Sequence, residues 1–273
     1  VRENVAYEAE IIRYREGVAS DPEYIPMDDW TLTSDGKSYK IKYDQFAAKE
    51  MTDNVTIQIV NEDRAIVSKS YTLNIRNYAV TMIDYYKDTS SQAEFVTAMV
   101  DMLNYGAAAQ KQFGYNESDL ANSQLTAEHQ AKASPSYTPN YPWTSPEGKA
   151  INCNLELVDN IVLHLWYKDI SEGMYAKISY TNHSGTLITD EIPFNDFKAR
   201  GSGIYSIPID ELVVADGNQV ITCTVYNADG TVHGTCTQSI EGYVYVALYY
   251  NMDEYGLYDQ ILKFTRSSYN YFH

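Results

Sequence analysis

The chain has 273 residues, 44% of them hydrophobic, enough for one large core or two of ordinary size, which excludes a disordered polypeptide. Lys and Arg number 20 against 37 Asp and Glu, a formal net charge of −17. So acidic a surface repels phosphate backbones and anionic lipid heads, which argues against nucleic acid and membrane partners but not against a neutral polysaccharide.

No apolar run approaches the ~20 residues of a transmembrane helix. The chain opens at Val1 without a basic n-region or signal h-region, and the expectation is a mature or trimmed fragment. Tyrosine is the unusual residue, 26 beside only 7 phenylalanines. It packs as an apolar ring yet shows water a hydroxyl, so many of these rings are expected to be partly wet.

In chain order, NYAVTMIDYY (77–86) follows an alternating, strand-like run and predicts a tyrosine-rich helix. Val96, Val100, Leu103 and Ala107 form the stripe of a second helix, widened by Phe95, Met99, Met102, Gly106 and Phe113; a stripe that broad predicts burial against a sheet. Residues 117–150, rich in Ser, Pro, Asn and Ala, read as a linker. Seven short β-branched and aromatic runs follow: NCNLELV, IVLHLWY, MYAKISYT, TLITDEIPF, GIYSIPI, QVITCTVYN and TVHGTCTQSI. Asp229-Gly230 predicts a type I′ turn between the last two. The period then changes to helical, with Tyr243, Ala247 and Tyr250 on one face and Leu257, Ile261, Phe264 and Ser268 on another.

Sliding the chain against itself by about 165 residues aligns its two halves. Met27-Asp28-Asp29-Trp30 falls on Phe194-Asn195-Asp196-Phe197, Tyr39 and Ile41 on Tyr205 and Ile207, and Asn61-Glu62-Asp63-Arg64 on Asn227-Ala228-Asp229-Gly230. Ile75-Arg76-Asn77-Tyr78 falls on Ile240-Glu241-Gly242-Tyr243, and the shift drifts to about 159 in the last helices. The repeat predicts an α+β protein of two tandem modules, each a small antiparallel sandwich-like sheet followed by two helices. The first covers 1–116, the linker 117–150 and the second 151–273. Aligning Tyr7 with Tyr175 leaves NCNLELVDNIVLHLWY without a first-copy counterpart, so the first module is expected to be N-terminally incomplete by two strands: either its sheet is smaller or the chain is cut from a longer protein.

With the hairpin tip at Asp229-Gly230, Cys223 faces Cys236 on a non-hydrogen-bonded pair, where Cα atoms approach to ~4.5 Å. This predicts a cross-strand disulfide or a close thiol pair, or else two small buried residues. Cys153 is left over as a buried thiol. There is no CxxC, and no two of the five histidines sit at helical ligand spacing, so no metal site is expected. Nucleophile, phosphate-loop and dinucleotide signatures are absent, and no cofactor is implied. The adjacent acids Asp28/Asp29 and Asp253/Glu254 could be imagined as a glycosidase dyad, but adjacent acids more often decorate a solvated surface. The chain is therefore read as non-enzymatic.

Aromatic platforms remain. A sugar has an apolar C–H face, on which a flat ring stacks, and a hydroxyl rim that Asn, Gln, Asp or Lys can bind. Trp30, aligned with Phe197, reads as a core position. Trp166 reads equally as a doubly covered strand residue or a displayed ring. Trp143, with Tyr141 and Tyr137 in SYTPNYPWTSP, lies outside the repeat register on a proline-stiffened segment; it is either a platform or a plug between modules, and it is the best single platform candidate in the chain.

The segment VDMLNYGAAAQKQFGYN, with FAAKEMTDNVT before it and LANSQLTAEHQ after, resembles the repeated surface modules of secreted proteins from gut Clostridia and ruminococci. There a small β-domain ends in a helix carrying an NYG-A-A-Q-x-x-F-x-Y segment, here Asn104, Tyr105, Gly106, Ala107, Ala108, Gln110, Phe113 and Tyr115. The likeness is specific over about 44–130 and weaker over 150–273, where Arg266-Ser267-Ser268 replaces the NYG triplet. Such modules accompany polysaccharide-degrading assemblies, and the chain looks most like a non-catalytic starch-adherence component of a ruminococcal amylosome. The resemblance implies a secreted, cell-surface protein that binds starch or maltooligosaccharides, with other scaffold modules as possible partners. It carries over no binding residue. A spacer or protein-interaction module and a carbohydrate-active enzyme are the rival readings.

Overall fold

The computed structural model describes residues 6–139, 146–157, 161–210 and 212–273. The fold is α+β, with several antiparallel sheets and five helices among those residues. In the first half β1 (Tyr7–Arg15) carries β2 (Val18–Ala19) and β3 (Glu23–Pro26) on one side and β6 (Asn54–Asn61) on the other, with β7 (Tyr71–Leu73) beyond β6. A separate hairpin joins β4 (Thr31–Leu32) to β5 (Tyr39–Lys40). Helices α1 (Ile75–Tyr86), α2 (Ala93–Phe113) and the one-turn α3 (Ala127–Gln130) follow. The second half has β8 (Glu147–Gly148), β9 (Ala150–Glu156), β10 (Val162–Lys168), β11 (Tyr175–Thr181), β12 (Leu187–Pro193), β13 (Lys198–Gly201), β14 (Ile204–Ile209), β15 (Ile221–Tyr226), β16 (Val232–Gln238), α4 (Ile240–Tyr249) and α5 (Leu257–Phe272).

The strand order β3-β1-β6-β7 recurs as β12-β11-β15-β16. Details recur with it. Pro26 and Pro193 each precede a 3₁₀ turn, Met27–Asp29 and Phe194–Asp196. Asn74 and Ser239 each cap the next helix through a side-chain oxygen that accepts the N–H three residues on. Registers built from the Asn61 and Asn227 turns pair Ala9, Ile11 and Arg13 with Ala176, Ile178 and Tyr180, so Tyr175 corresponds to Glu8 and not to Tyr7.

The hairpin tip differs from the predicted type I′ turn. Gly230 is left-handed (φ +82°) and donates to the Asn227 carbonyl at 2.9 Å, while Asp229 keeps negative φ. Asn227 N–H then reaches Thr231 O at 2.8 Å, one residue off the expected register. A bulge at His233 restores it, so Cys223 does stand opposite Cys236. Both are buried, and all three cysteines are free thiols. In the first half Arg64 takes the left-handed place (φ +60°) that Gly230 holds in the second.

Among the described residues, the second half stacks a four-stranded sheet on another sheet. β13-β14-β10-β9 lies over β12-β11-β15-β16: Tyr167 of β10, fully buried, donates its hydroxyl to the Cys223 carbonyl at 2.8 Å. Gln238 of β16 reaches Cys153 Sγ of β9 at 3.4 Å. No counterparts of β9 and β10 exist among the described residues of the first half.

Val96, Val100, Leu103, Gly106 and Ala107 of the α2 stripe are buried as expected, Phe95, Met99 and Met102 are half-buried and Phe113 is exposed; the burial is not against a sheet, since α2 packs on α5, α1 and the turn at Ala48–Glu50. Tyr105 and Phe264 meet between α2 and α5 with centroids 5.9 Å apart. One apolar cluster runs through both halves. On α4 the buried residues are Ile240, Gly242, Val244 and Ala247, and Tyr250 lies beyond the helix, exposed. Gly106 lies against Met51, and its counterpart at the α5 contact is Thr265, packed on Gly217. The NYG triplet therefore corresponds to Lys263-Phe264-Thr265, not to Arg266-Ser267-Ser268. Residues 117–133 fold back on α1 and α2: Gln110, fully buried, accepts from Ala121 N at 2.6 Å and donates to the Asp119 carbonyl at 3.1 Å.

Candidate functional site

Leu163, Leu165 and Tyr167 point into the sandwich, and strand alternation therefore turns His164 and Trp166 outward. Cross-strand register builds a face around them. On β9, Asn152 stands opposite Trp166 and Asn154 opposite His164; on β14, Ser206 stands opposite Trp166. A register shift between Ala199 and Gly201 of β13 marks where Arg200 sits at the sheet edge.

The Trp166 side chain is half-buried. Its indole N–H donates to Asn154 Oδ1 at 2.6 Å, which fixes the ring against the sheet. The Arg200 guanidinium lies 5.8 Å from the ring centroid and donates through Nε to Ser206 Oγ at 2.9 Å. His164 is buried beneath this layer, with Nε2 2.9 Å from Glu156 Oε2 and Nδ1 3.4 Å from Arg200 Nη2. A guanidinium can only donate, so Nδ1 is the acceptor and Nε2 carries the proton toward Glu156. The face thus offers one flat apolar ring held in place by an amide and a guanidinium, with the Glu156 carboxylate on His164 further along the strand.

A second aromatic group lies on the outward side of the other sheet. Tyr175 and Tyr226 stack across β11 and β15 at 5.2 Å and 13°, with the Lys177 ammonium 5.6 Å from the Tyr175 ring. Tyr226 and Lys177, with Thr222, Thr224, Thr189 and Glu191, line an open depression of about 500 Å³.

The predicted site residues separate. Trp143 and Tyr141 lie outside the described residues. Tyr137 is half-buried; its hydroxyl donates to Glu241 Oε1 at 2.6 Å and the Arg266 guanidinium covers its ring at 4.7 Å, so one face is already occupied. Burial pushes the Tyr137 phenol and the Glu241 carboxyl up. Trp166 is the predicted ring that the structure surrounds with polar groups. Trp30 is half-exposed rather than core: it donates to the Ile25 carbonyl at 3.1 Å and packs edge-on to Tyr39 at 5.9 Å. Its counterpart Phe197 is buried, in the half that owns the extra strands. Of the imagined acid dyads, Asp253 accepts the Tyr258 and Asp259 N–H groups at 2.9 and 3.2 Å, as a cap for α5.

No protein-family model matches the chain, and no curated protein matches it. A solved structure similar to it is described as "Crystal structure of tetra-tandem repeat in extending region of large adhesion protein", at 12% identity over 89% of this chain and 43% of that one. The chain therefore spans less than half of that structure. The TM-score is 0.23, too low to carry fold or function across. No helix among the described residues is long and apolar enough to cross a membrane.

His164 and Trp166 share a strand face by spacing alone, so that pairing was available from the sequence. Asn154, Glu156, Ser206 and Arg200 were not, because only the register among β9, β10, β13 and β14 assembles them.

Proposed function

We propose that the chain is two tandem modules of one unit, secreted to the bacterial cell surface, and that it binds a neutral α-glucan without catalysis. The observation that carries this reading is the Trp166 ring, half-buried on an outward sheet face, tethered by Asn154 and flanked by Arg200. The ring supplies a stacking surface for the apolar face of a sugar, and the surrounding donors and acceptors can engage its hydroxyls. Arg200 is held by Ser206 before any ligand arrives, so little side-chain entropy would be lost on binding. The resemblance of the 104–115 helix to starch-adherence modules makes starch and maltooligosaccharides the first ligands to try.

Native gels with and without amylopectin test the reading. Retardation by the polysaccharide is expected, and Trp166→Ala should weaken it ~10-fold or more, the scale of truncating an aromatic anchor. Unchanged retention of the variant would remove Trp166 from the site, and no retention of the native chain would remove the glucan. Release of products from maltooligosaccharides would contradict the non-enzymatic reading.

A further inference from the structure

Across the sandwich from Trp166, strand pairing builds the outward side of β12-β11-β15-β16 in rows. The stacked rings of Tyr175 and Tyr226 form one row. The next holds Glu191, Lys177, Thr224 and Thr235, and the one after it Thr189, Ser179, Thr222 and Thr237. Strands stand ~4.8 Å apart and alternate residues ~7 Å apart along each, so the rows form a grid of hydroxyls beside a pair of rings. Lys177, Glu191 and Thr189 are exposed, and Ser179, Thr222, Thr224 and Tyr226 are half-buried. The bonds within the grid are loose. The Thr224 and Thr235 hydroxyls meet at 3.1 Å, those of Thr222 and Thr237 at 3.5 Å, and the Lys177 ammonium stands 3.4 Å from Glu191 Oε2. A hydroxyl carries one donor and two lone pairs, so each such pair keeps bonding capacity for a ligand.

In the first half the same positions bond to one another. The matching register places Tyr24, Glu10, Gln58 and Ser70 where the second half has Glu191, Lys177, Thr224 and Thr235. Tyr24 donates to Glu10 Oε1 at 2.9 Å, Gln58 donates to the other oxygen of that carboxylate, and Ser70 donates to Gln58. The Arg64 guanidinium covers the Tyr24 ring, 3.5 Å from its centroid. One network closes that face across its strands. The shared backbone therefore does not dictate the open depression of about 500 Å³ in the second half; the side chains there do.

The chemistry of the face selects its occupant. Glu191 balances the Lys177 charge, and a chain of net charge −17 repels an anion. An apolar protein surface would bury the hydroxyls without partners. A neutral polyhydroxyl chain suits both halves of the face: its hydroxyls bond the two polar rows, and its C–H face lies on the Tyr226 ring. We infer that this face is a second glucan site, with Tyr226 as the stacking ring and Lys177 and Thr224 as hydroxyl-binding groups. The inference rests on the glucan-binding reading and adds a site to it. The sandwich core holds the two sheets ~10 Å apart, so the Trp166 face and this one each take their own length of glucan.

Native gels cast with amylopectin test the inference on the whole chain. Trp166→Ala is expected to keep part of its retardation. Adding Tyr226→Ala should weaken what remains ~10-fold or more, and adding Lys177→Ala should weaken it measurably. Lys177 is exposed, so its variant should keep the native urea midpoint and decides the matter if Tyr226→Ala disturbs folding. If Trp166→Ala alone abolishes retardation, this inference falls and the Trp166 reading stands. If neither Tyr226→Ala nor Lys177→Ala lowers the retardation left in the Trp166→Ala chain, the second site lies elsewhere and the inference is overturned. A native chain that amylopectin never retards removes both sites together.

Discussion

Gly106→Ala and Gly217→Ala probe one packing contact that the two halves fill in opposite ways. In the first half the helix contributes the glycine and the turn the bulk: a Cβ on Gly106 would lie 2.6 Å from Met51 Sδ, 3.0 Å from Ala121 Cβ and 3.1 Å from the Ala48 carbonyl. In the second the turn contributes the glycine, and a Cβ on Gly217 would lie 2.6 Å from Thr265 Cβ. Overpacking of this kind costs ~1–3 kcal/mol. At Gly106 alanine recovers ~1 kcal/mol of helix propensity, and Met51 is unbranched and can withdraw its sulfur. The net loss expected for Gly106→Ala is ~0–2 kcal/mol. Gly217 ends a 3₁₀ turn and has no such return, and Thr265 is β-branched with a stiff χ1. Gly217→Ala should therefore lose more, ~2–3 kcal/mol. Urea unfolding followed by circular dichroism measures both. Adding Thr265→Ala to Gly217→Ala should recover part of the loss, with a coupling of ~0.5–3 kcal/mol. A Gly217→Ala protein as stable as the native chain, or a double variant with no coupling, would refute the reasoning.

Arg13 and Glu50 form a buried ion pair, and Arg13 also donates to the Gln45 carbonyl at 2.6 Å. Arg13→Met leaves Glu50 buried with only Arg15, at 3.1 Å, as a cationic partner, and should cost ~3–5 kcal/mol in urea unfolding. Burial raises the carboxyl pKa of Asp53, Asp101 and Glu241. Their folded values lie above the unfolded ones, so the folded state binds protons more tightly. Their contribution to stability should rise as pH falls from neutrality through the folded values and level off below the ordinary carboxylate range, so Glu241→Gln should lose its share of that gain in thermal melts compared with the native chain. Burial also pushes the Cys223 and Cys236 thiols up to about 12 and raises Cys153. A thiol reagent at pH 8 should react slowly with the folded chain, half-buried Cys153 first, and count three thiols in urea. Fewer than three would mean that Cys223 and Cys236 have formed a bond.

The sequence by itself determined the local features, because each rests on a periodicity or a turn that neighbours in the chain impose. All seven runs read as strands in the second half form strands, and the α1, α2, α4 and α5 segments form helices. The cysteines face each other as expected, although by a different route: the tip is one residue off and the His233 bulge returns the register. Only the tertiary structure decided what lies over each surface. The α2 stripe meets α5 because helix packing joins the two halves, something a stripe's width cannot disclose. Trp30 and Phe197 occupy equivalent positions, yet one is half-exposed and the other buried. Arg200 reaches Trp166 from a strand 32 to 35 residues further along, by a register that no single segment encodes. Burial and side-chain clustering depend on what packs from elsewhere in the chain, and local sequence carries that information only where a repeat lets one half be read against the other.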